Sequence, residues 1–144
     1  MAASAWAFYN KFKEYMADGT IDLDTQNFWI SLHTSASNAA TDTLSTFASV
    51  NNEIADGNGY STSGKVLSAV TWSTGASAGE MRFDSTARIW TASGGSISAI
   101  KYAVLRNSAG KLVARSQLST AQFSVTTGNT LTITPSANGI FELN

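Results

Sequence analysis

The chain predicts an all-β fold, an antiparallel β-sandwich or jelly roll of about eight to ten strands with one N-terminal α-helix, and three observations carry that prediction. Residues 96–118, SISAIKYAVLRNSAGKLVARSQL, read as two long strands joined by a tight turn at Asn107-Ser108-Ala109-Gly110. Turn residues, above all Gly, Asn and Asp, recur every 8–12 residues or so along most of the chain. The sole proline, Pro135, falls at the close of a strand, where a missing N–H does least harm.

Within 96–107, period two sets Ile97, Ala99, Ala103 and Leu105 on one side and Ile100, Tyr102 and Val104 on the other. Both sides are apolar, so the strand belongs in the middle of a sheet, covered twice, by another sheet or by a neighbouring subunit. Residues 111–118 fold back antiparallel to it.

Taken from the start, residues 3–17 are the one good helical stretch. Trp6, Tyr9, Phe12 and Met16 recur at three and four, Phe8 and Tyr15 widen the stripe, and Asp18-Gly19 ends it. Residues 1–19 are thus read as an aromatic helix within a single domain whose sandwich occupies 20–144. Residues 27–34 (NFWISLHT) make the first strand, with Phe28, Ile30 and Leu32 inward and Trp29, Ser31 and His33 outward. A small-residue loop follows at 35–42, and 44–54 is either loop or short helix. Residues 65–73 (KVLSAVTWS) read as one strand. Strands at 80–84 and 88–92 follow, with Met81, Phe83, Ile89 and Trp90 as the buried candidates, and further strands are expected at 121–126, 130–134 and 140–143.

The composition narrows function by exclusion. At 144 residues the chain is one domain, large enough to bury roughly 68–70% of its unfolded surface. Charged residues are 13%, about half the usual share, while Ser and Thr together number 37. Such an exterior suits broad contact with other protein. The nine Lys and Arg stand singly at a net charge of −1, which argues against a nucleic-acid partner. The absence of cysteine removes disulfides and thiolate metal sites. No apolar run approaches a membrane span, and the first residues lack the pattern of a signal peptide.

Sites for chemistry are few. Gly75-Ala76-Ser77-Ala78-Gly79 has the letters of a nucleophile elbow, yet strands follow it where a helix should, and His33, the only histidine, lies upstream of it. Asp18, Asp22 and Asp24, or Asp56 with Asn58, offer oxygens to calcium without the spacing of an EF-hand, and the same residues serve turns. Glu53, Glu80, Asp84 and Glu142 are available carboxylates with nothing in the sequence to pair them. No cofactor is expected. Trp72 and Trp90 sit among apolar neighbours and belong to the core, whereas Trp29 is the tryptophan to look for at the surface.

Three stretches in order, AFYNKFKEYMADGTIDLDTQNFWISL at 7–32, NNEIADGNGYSTSGKVLSAVTW at 51–72 and IWTASGGSISAIKYAVLRNSAGKL at 89–112, resemble small virion structural proteins of tailed bacteriophages. TLTITPSANGIFEL at 130–143 fits more loosely. The resemblance implies a non-enzymatic sandwich present in many copies on the capsid exterior, foremost a capsid decoration (cement) protein. Its partners would be the major capsid protein and copies of itself, as a homotrimer. No functional residue motif comes with the resemblance. The contact residues expected on this reading are Trp6, Phe8, Tyr9 and Phe12 of the helix, with Trp29 and His33 of the first strand, or else the loops at 35–62. The competing expectation is a carbohydrate-binding or host-recognition jelly roll of a tail or fibre, which needs an exposed Trp29 or a Trp-lined groove.

Overall fold

The computed structural model describes residues 4–144; Met1, Ala2 and Ala3, and with Ala3 the first residue of the expected helix, lie outside the described residues. Eleven strands, mostly short, are found among the described residues, and every pairing is antiparallel. They are β1 (Ala7–Phe8), β2 (Phe28–Thr34), β3 (Lys65–Val66), β4 (Thr71–Thr74), β5 (Met81–Asp84) and β6 (Arg88–Thr91). Then come β7 (Ile97–Asn107), β8 (Leu112–Gln117), β9 (Phe123–Val125), β10 (Thr130–Ile133) and β11 (Phe141–Leu143). The principal sheet runs β1-β8-β7-β2-β3, and β9 continues the β8 edge along the start of β7. Opposite it lie a three-stranded sheet, β11-β5-β4, and the pair β10-β6. Phe28, Ile30, Leu32 and Leu105 of the first layer meet Phe83, Trp90 and Phe141 of the second in one buried cluster. The fold is the all-β sandwich that alternation and turn spacing predict.

The hairpin of β7 and β8 is central, as the two-sided apolar pattern requires. Its faces separate into different clusters: Ala103 and Leu105 join the main core, and Tyr102 and Val104 pack with Tyr9, Ala39 and Leu112 beneath Leu44, Phe47 and Val50. The second cover is therefore the chain's own loop. The expected alternation breaks at Ile100. An extra residue lies between Ile97 and Ile100 opposite β9, and Ala99 there takes a φ of 61°. A second register shift occurs opposite His33 and Thr34. One inserted residue reverses the facing of what precedes it, so Ile100 turns into the main core with Ile97 and not beside Tyr102.

Two expected elements are corrected. The helix at 3–17 is only α1 (Phe12–Ala17), and the residues before it are strand-like. Ser4 N–H donates to the Gln117 carbonyl at 2.8 Å, Ala7 and Phe8 pair Arg115 and Ala114, and Tyr9 N–H donates to the Val113 carbonyl at 3.1 Å. Four aromatics in seven residues satisfy period two as well as period 3.6, and the open edge of β8 decides between them. Trp6 and Phe8 then face the main core while Tyr9 faces the smaller cluster. The strand expected at 65–73 is likewise two, β3 on the principal sheet and β4 on the opposite one. Ala69 lies between them in the left-handed region at φ 50°, and the chain changes layers there. The ambiguous stretch 44–54 is loop with one short 3-10 turn, Phe47–Ser49.

Candidate functional site

Two places combine named side chains with a possible use. On the loop-covered face of β2, Ser31 and His33 stand two residues apart and so share a side. His33 Nδ1 lies 3.2 Å from the Asn51 carbonyl, an acceptor, which assigns the ring proton to Nδ1. Nε2 then accepts from Ser31 Oγ at 2.9 Å. A hydroxyl held on a neutral imidazole is the first pair of a nucleophile and its base. Both residues are 0% exposed. Phe47 closes over the imidazole edge-on at 6.0 Å, and burial holds the His33 pKa down to about 4. The expectation of His33 as an outward contact residue is thus overturned: the alternation is right, and the outer side is roofed.

The roof is tightly stitched. Asn38 and Asn51 exchange side-chain-to-backbone bonds at 2.8 and 2.9 Å, Ser37 Oγ donates to the Asn51 carbonyl at 2.6 Å, and Tyr9 OH donates to the Ala39 carbonyl at 2.8 Å. Beside it, Tyr60 OH accepts from Leu32 N–H at 3.0 Å and donates to Glu53 at 2.6 Å. Arg106 lies over the Phe47 ring at 4.4 Å and donates to the Ser63 carbonyl at 3.2 Å. Burial pushes the Tyr60 phenol up and the Arg106 guanidinium down from their ordinary pKa values. Apart from Arg106 Nε, which is buried without a partner, these groups are answered by hydrogen bonds within the loop and the sheet, and Ser31 and His33 are sealed from a reacting molecule.

The remaining candidates from the sequence are dispersed. Gly75–Gly79 is the turn between β4 and β5, closed by Gly75 N–H to the Glu80 carbonyl at 2.7 Å. Asp22 takes the N–H groups of Asp24 and Thr25 and the Thr25 hydroxyl, Asp18 takes Thr20 N–H, and Asp56 takes Thr62 N–H. These are turn hydrogen bonds, and they hold both Asp18 and Asp22 below the usual carboxylate range. No cluster of three metal-ligating side chains occurs among the described residues. Glu53, Glu80 and Asp84 accept from different groups, and Glu142 lies opposite Arg82 across the β5–β11 pair, on the face that Asp84 shares.

Of the expected contact residues, Tyr9 and Phe12 are 1% exposed and belong to the interior. Phe8 stacks on Phe12 at 5.0 Å and meets Phe141 edge-on at 4.9 Å, and the chain of rings runs on through Phe83 to Phe28. Each such pair adds about 0.5–1.5 kcal/mol beyond its burial. Trp29 is half-buried, with the Arg106 guanidinium 5.4 Å from its ring. Large apolar side chains that do reach solvent are Val66, opposite Trp29 on β3, and Ile89 on β6, at 42% and 48% exposure. Val66 carries no signal of an exposed contact in the sequence, and Ile89, expected inside, points outward.

Trp6, also half-buried, stands at the second place. A groove of about 550 Å³ opens where the sandwich is not closed, between the start of the chain and the stretch 131–140. Its walls include Trp6, Phe123, Leu131, Ile133 and Ile140, and hydroxyls of Ser4, Ser116, Thr132 and Ser136 stand among them. None of the residues lining it is charged. It has room and no reactive group. The chain matches no protein-family model, no curated protein and no solved structure.

Proposed function

We propose that this protein is a non-enzymatic virion structural protein of a tailed bacteriophage, a capsid decoration protein that binds the shell and copies of itself through protein–protein contacts. One observation carries the reading: the serine–histidine pair, the one nucleophile-and-base arrangement described above, is shut inside the fold, and what the molecule presents outside is low in charge, rich in hydroxyls and locally apolar. The phage resemblance of 7–32, 51–72 and 89–112 supports the location. With Tyr9, Phe12 and His33 committed to the interior, the contact passes to Trp29 of β2, Val66 of β3 and Ile89 of β6, the last two strands being tied together by Lys65 and Arg88 through backbone carbonyls of the opposite strand. A stable interface needs about 1,000 Å² with good complementarity, more than these three supply, so neighbouring hydroxyl surface takes part.

The test joins light scattering of the purified chain with a reconstruction of virions that contain it. A trimer seated over the major capsid protein is the expected result, and Val66→Lys with Ile89→Lys then lowers the copy number per virion at unchanged folding. Density at the tail tip alone, or no virion copies, sinks the proposal. A second reading, carbohydrate binding by a tail module, draws on Trp6 at the groove, since Trp faces stack on sugar rings. Binding on a glycan array that is lost in Trp6→Ala would establish that reading in its place.

A further inference from the structure

The groove borders the outer edge of β10, which has β6 as its one strand neighbour among the described residues. Residues 131–136 line it without a gap. Side chains of successive strand residues point to opposite faces, so an unbroken lining means that the groove runs along the strand's edge and not across one face. The direction of the free backbone groups follows from the register. Ala92 N–H donates to the Asn129 carbonyl at 2.9 Å, and Leu131 and Ile133 lie opposite Trp90 and Arg88. Antiparallel pairing alternates, which turns the N–H and C=O of Leu131 and Ile133 toward β6 and those of Thr130 and Thr132 outward. The Ile89 carbonyl fits this alternation: it faces away from β10 and accepts from Lys65 Nζ.

An outward row of strand donors and acceptors is a template for another strand. This one lacks the usual guards, since Thr130, Leu131, Thr132 and Ile133 are uncharged and Pro135 comes only after the strand has ended. We propose that the groove receives an extended, uncharged segment of another polypeptide, which adds to the free edge of β10 and sets alternate apolar side chains against Phe123, Leu131 and Ile140. On sheet spacings each residue of an added strand takes roughly 160 Å³, so the groove holds at least three. The uncharged lining excludes a charged segment, which would be desolvated there without a partner. It also disfavours a sugar. The polar groups are hydroxyls, and those of Ser116 and Ser136 are already spent on the Ser4 and Gly139 carbonyls. Main-chain bonds supply the affinity in such additions and side-chain pockets the selectivity. This inference stands apart from the virion reading, for an added strand could come from a shell protein or from any other partner.

The experiment selects a displayed library of random heptapeptides on the full chain, immobilised through its C-terminus. Enriched sequences are expected to be free of charge and apolar at alternate positions. A synthetic copy of the winner should slow amide exchange at Thr130 and Thr132 at least tenfold and leave the Leu131 and Ile133 amides, already bonded to β6, unchanged. Thr132→Pro deletes an outward N–H without touching the β6 pairing, a place where strands accept proline. It should weaken the peptide at least tenfold, and Thr132→Lys, which keeps the N–H and cannot break the strand, should do so by charge. The proposal is overturned by a library without enrichment, by winners that bind both variants undiminished, or by protection at Thr132 from maltohexaose and not from peptide. It is equally overturned if Thr132→Pro changes only the oligomeric mass of the chain, which would put a second copy at the edge.

Discussion

The roofed face of β2 and the open edge of β10 invert each other. Around Ser31 and His33 there is a hydroxyl and an imidazole, both sealed from solvent, with the nearly buried Arg106 guanidinium and the half-buried Glu53 carboxylate beside them. Along β10 there is space of about 550 Å³, apolar walls and unspent backbone groups, with no side chain that could move a proton at neutral pH. Polar groups inside a protein are expensive unless satisfied, so the bonds among Ser31, His33, Asn38, Asn51 and Tyr60 stabilise one arrangement of the loop over the sheet. An unsatisfied edge is the opposite case, tolerable only because water or a partner can reach it. The difference teaches where to look for function in this fold: at the place left incomplete, and not at the place with the most suggestive residues.

Substitutions can break that contrast or sharpen it. The largest effect is expected from Phe83→Ala, because Phe83 is fully buried between Phe28 and Phe141 in the core that supports both regions. It should cost about 3–5 kcal/mol by denaturant unfolding, and a loss under about 1 kcal/mol would mean that the ring chain is not a common foundation.

Acid comes next. His33 is held neutral to about pH 4 when folded, against 6.5 for a free imidazole. Between those values the unfolded chain binds a proton that the folded chain refuses, so stability falls as the pH drops through the window. The loss amounts to about 3 kcal/mol by pH 4. His33→Gln should flatten this dependence, and a curve of unchanged slope would show that His33 is not sealed. Tyr60→Phe leaves Leu32 N–H without its acceptor and Glu53 with Ser63 N–H in place of two donors, for about 1–3 kcal/mol at unchanged secondary structure. The smallest effect belongs to the open edge. Thr132→Lys should move stability by no more than about 0.5 kcal/mol, since the side chain is exposed and its strand pairing is kept. A larger loss there would mean that the edge is part of the folded structure's own support.

Much of the core was legible because strands advertise themselves locally. Phe28, Ile30, Leu32, Phe83 and Trp90 were expected inside on alternation and apolar company, and all five are buried. Ile89 was expected inside too and is among the most exposed apolar residues, because Trp90, its neighbour, takes the inner side and a strand cannot bury both against one layer. The apolar groove was not legible at all. Its lining comes from four separate stretches, and free edge groups belong to the backbone, which every sequence contains.

What the amino-acid order determined unaided was the class of fold and its central hairpin. Period two, paired with glycine and asparagine at the turns, is written within ten residues and needs no distant partner to be read. Tertiary structure alone decided that residues 4–9 run beside β8 and that His33 lies under a roof. Those outcomes depend on bonds such as Ser4 to Gln117 and Tyr9 to Ala39, between residues 113 and 30 positions apart. Local pattern is indifferent to such bonds, since a half-apolar aromatic segment serves equally as helix or edge strand until a neighbour offers its unpaired carbonyls.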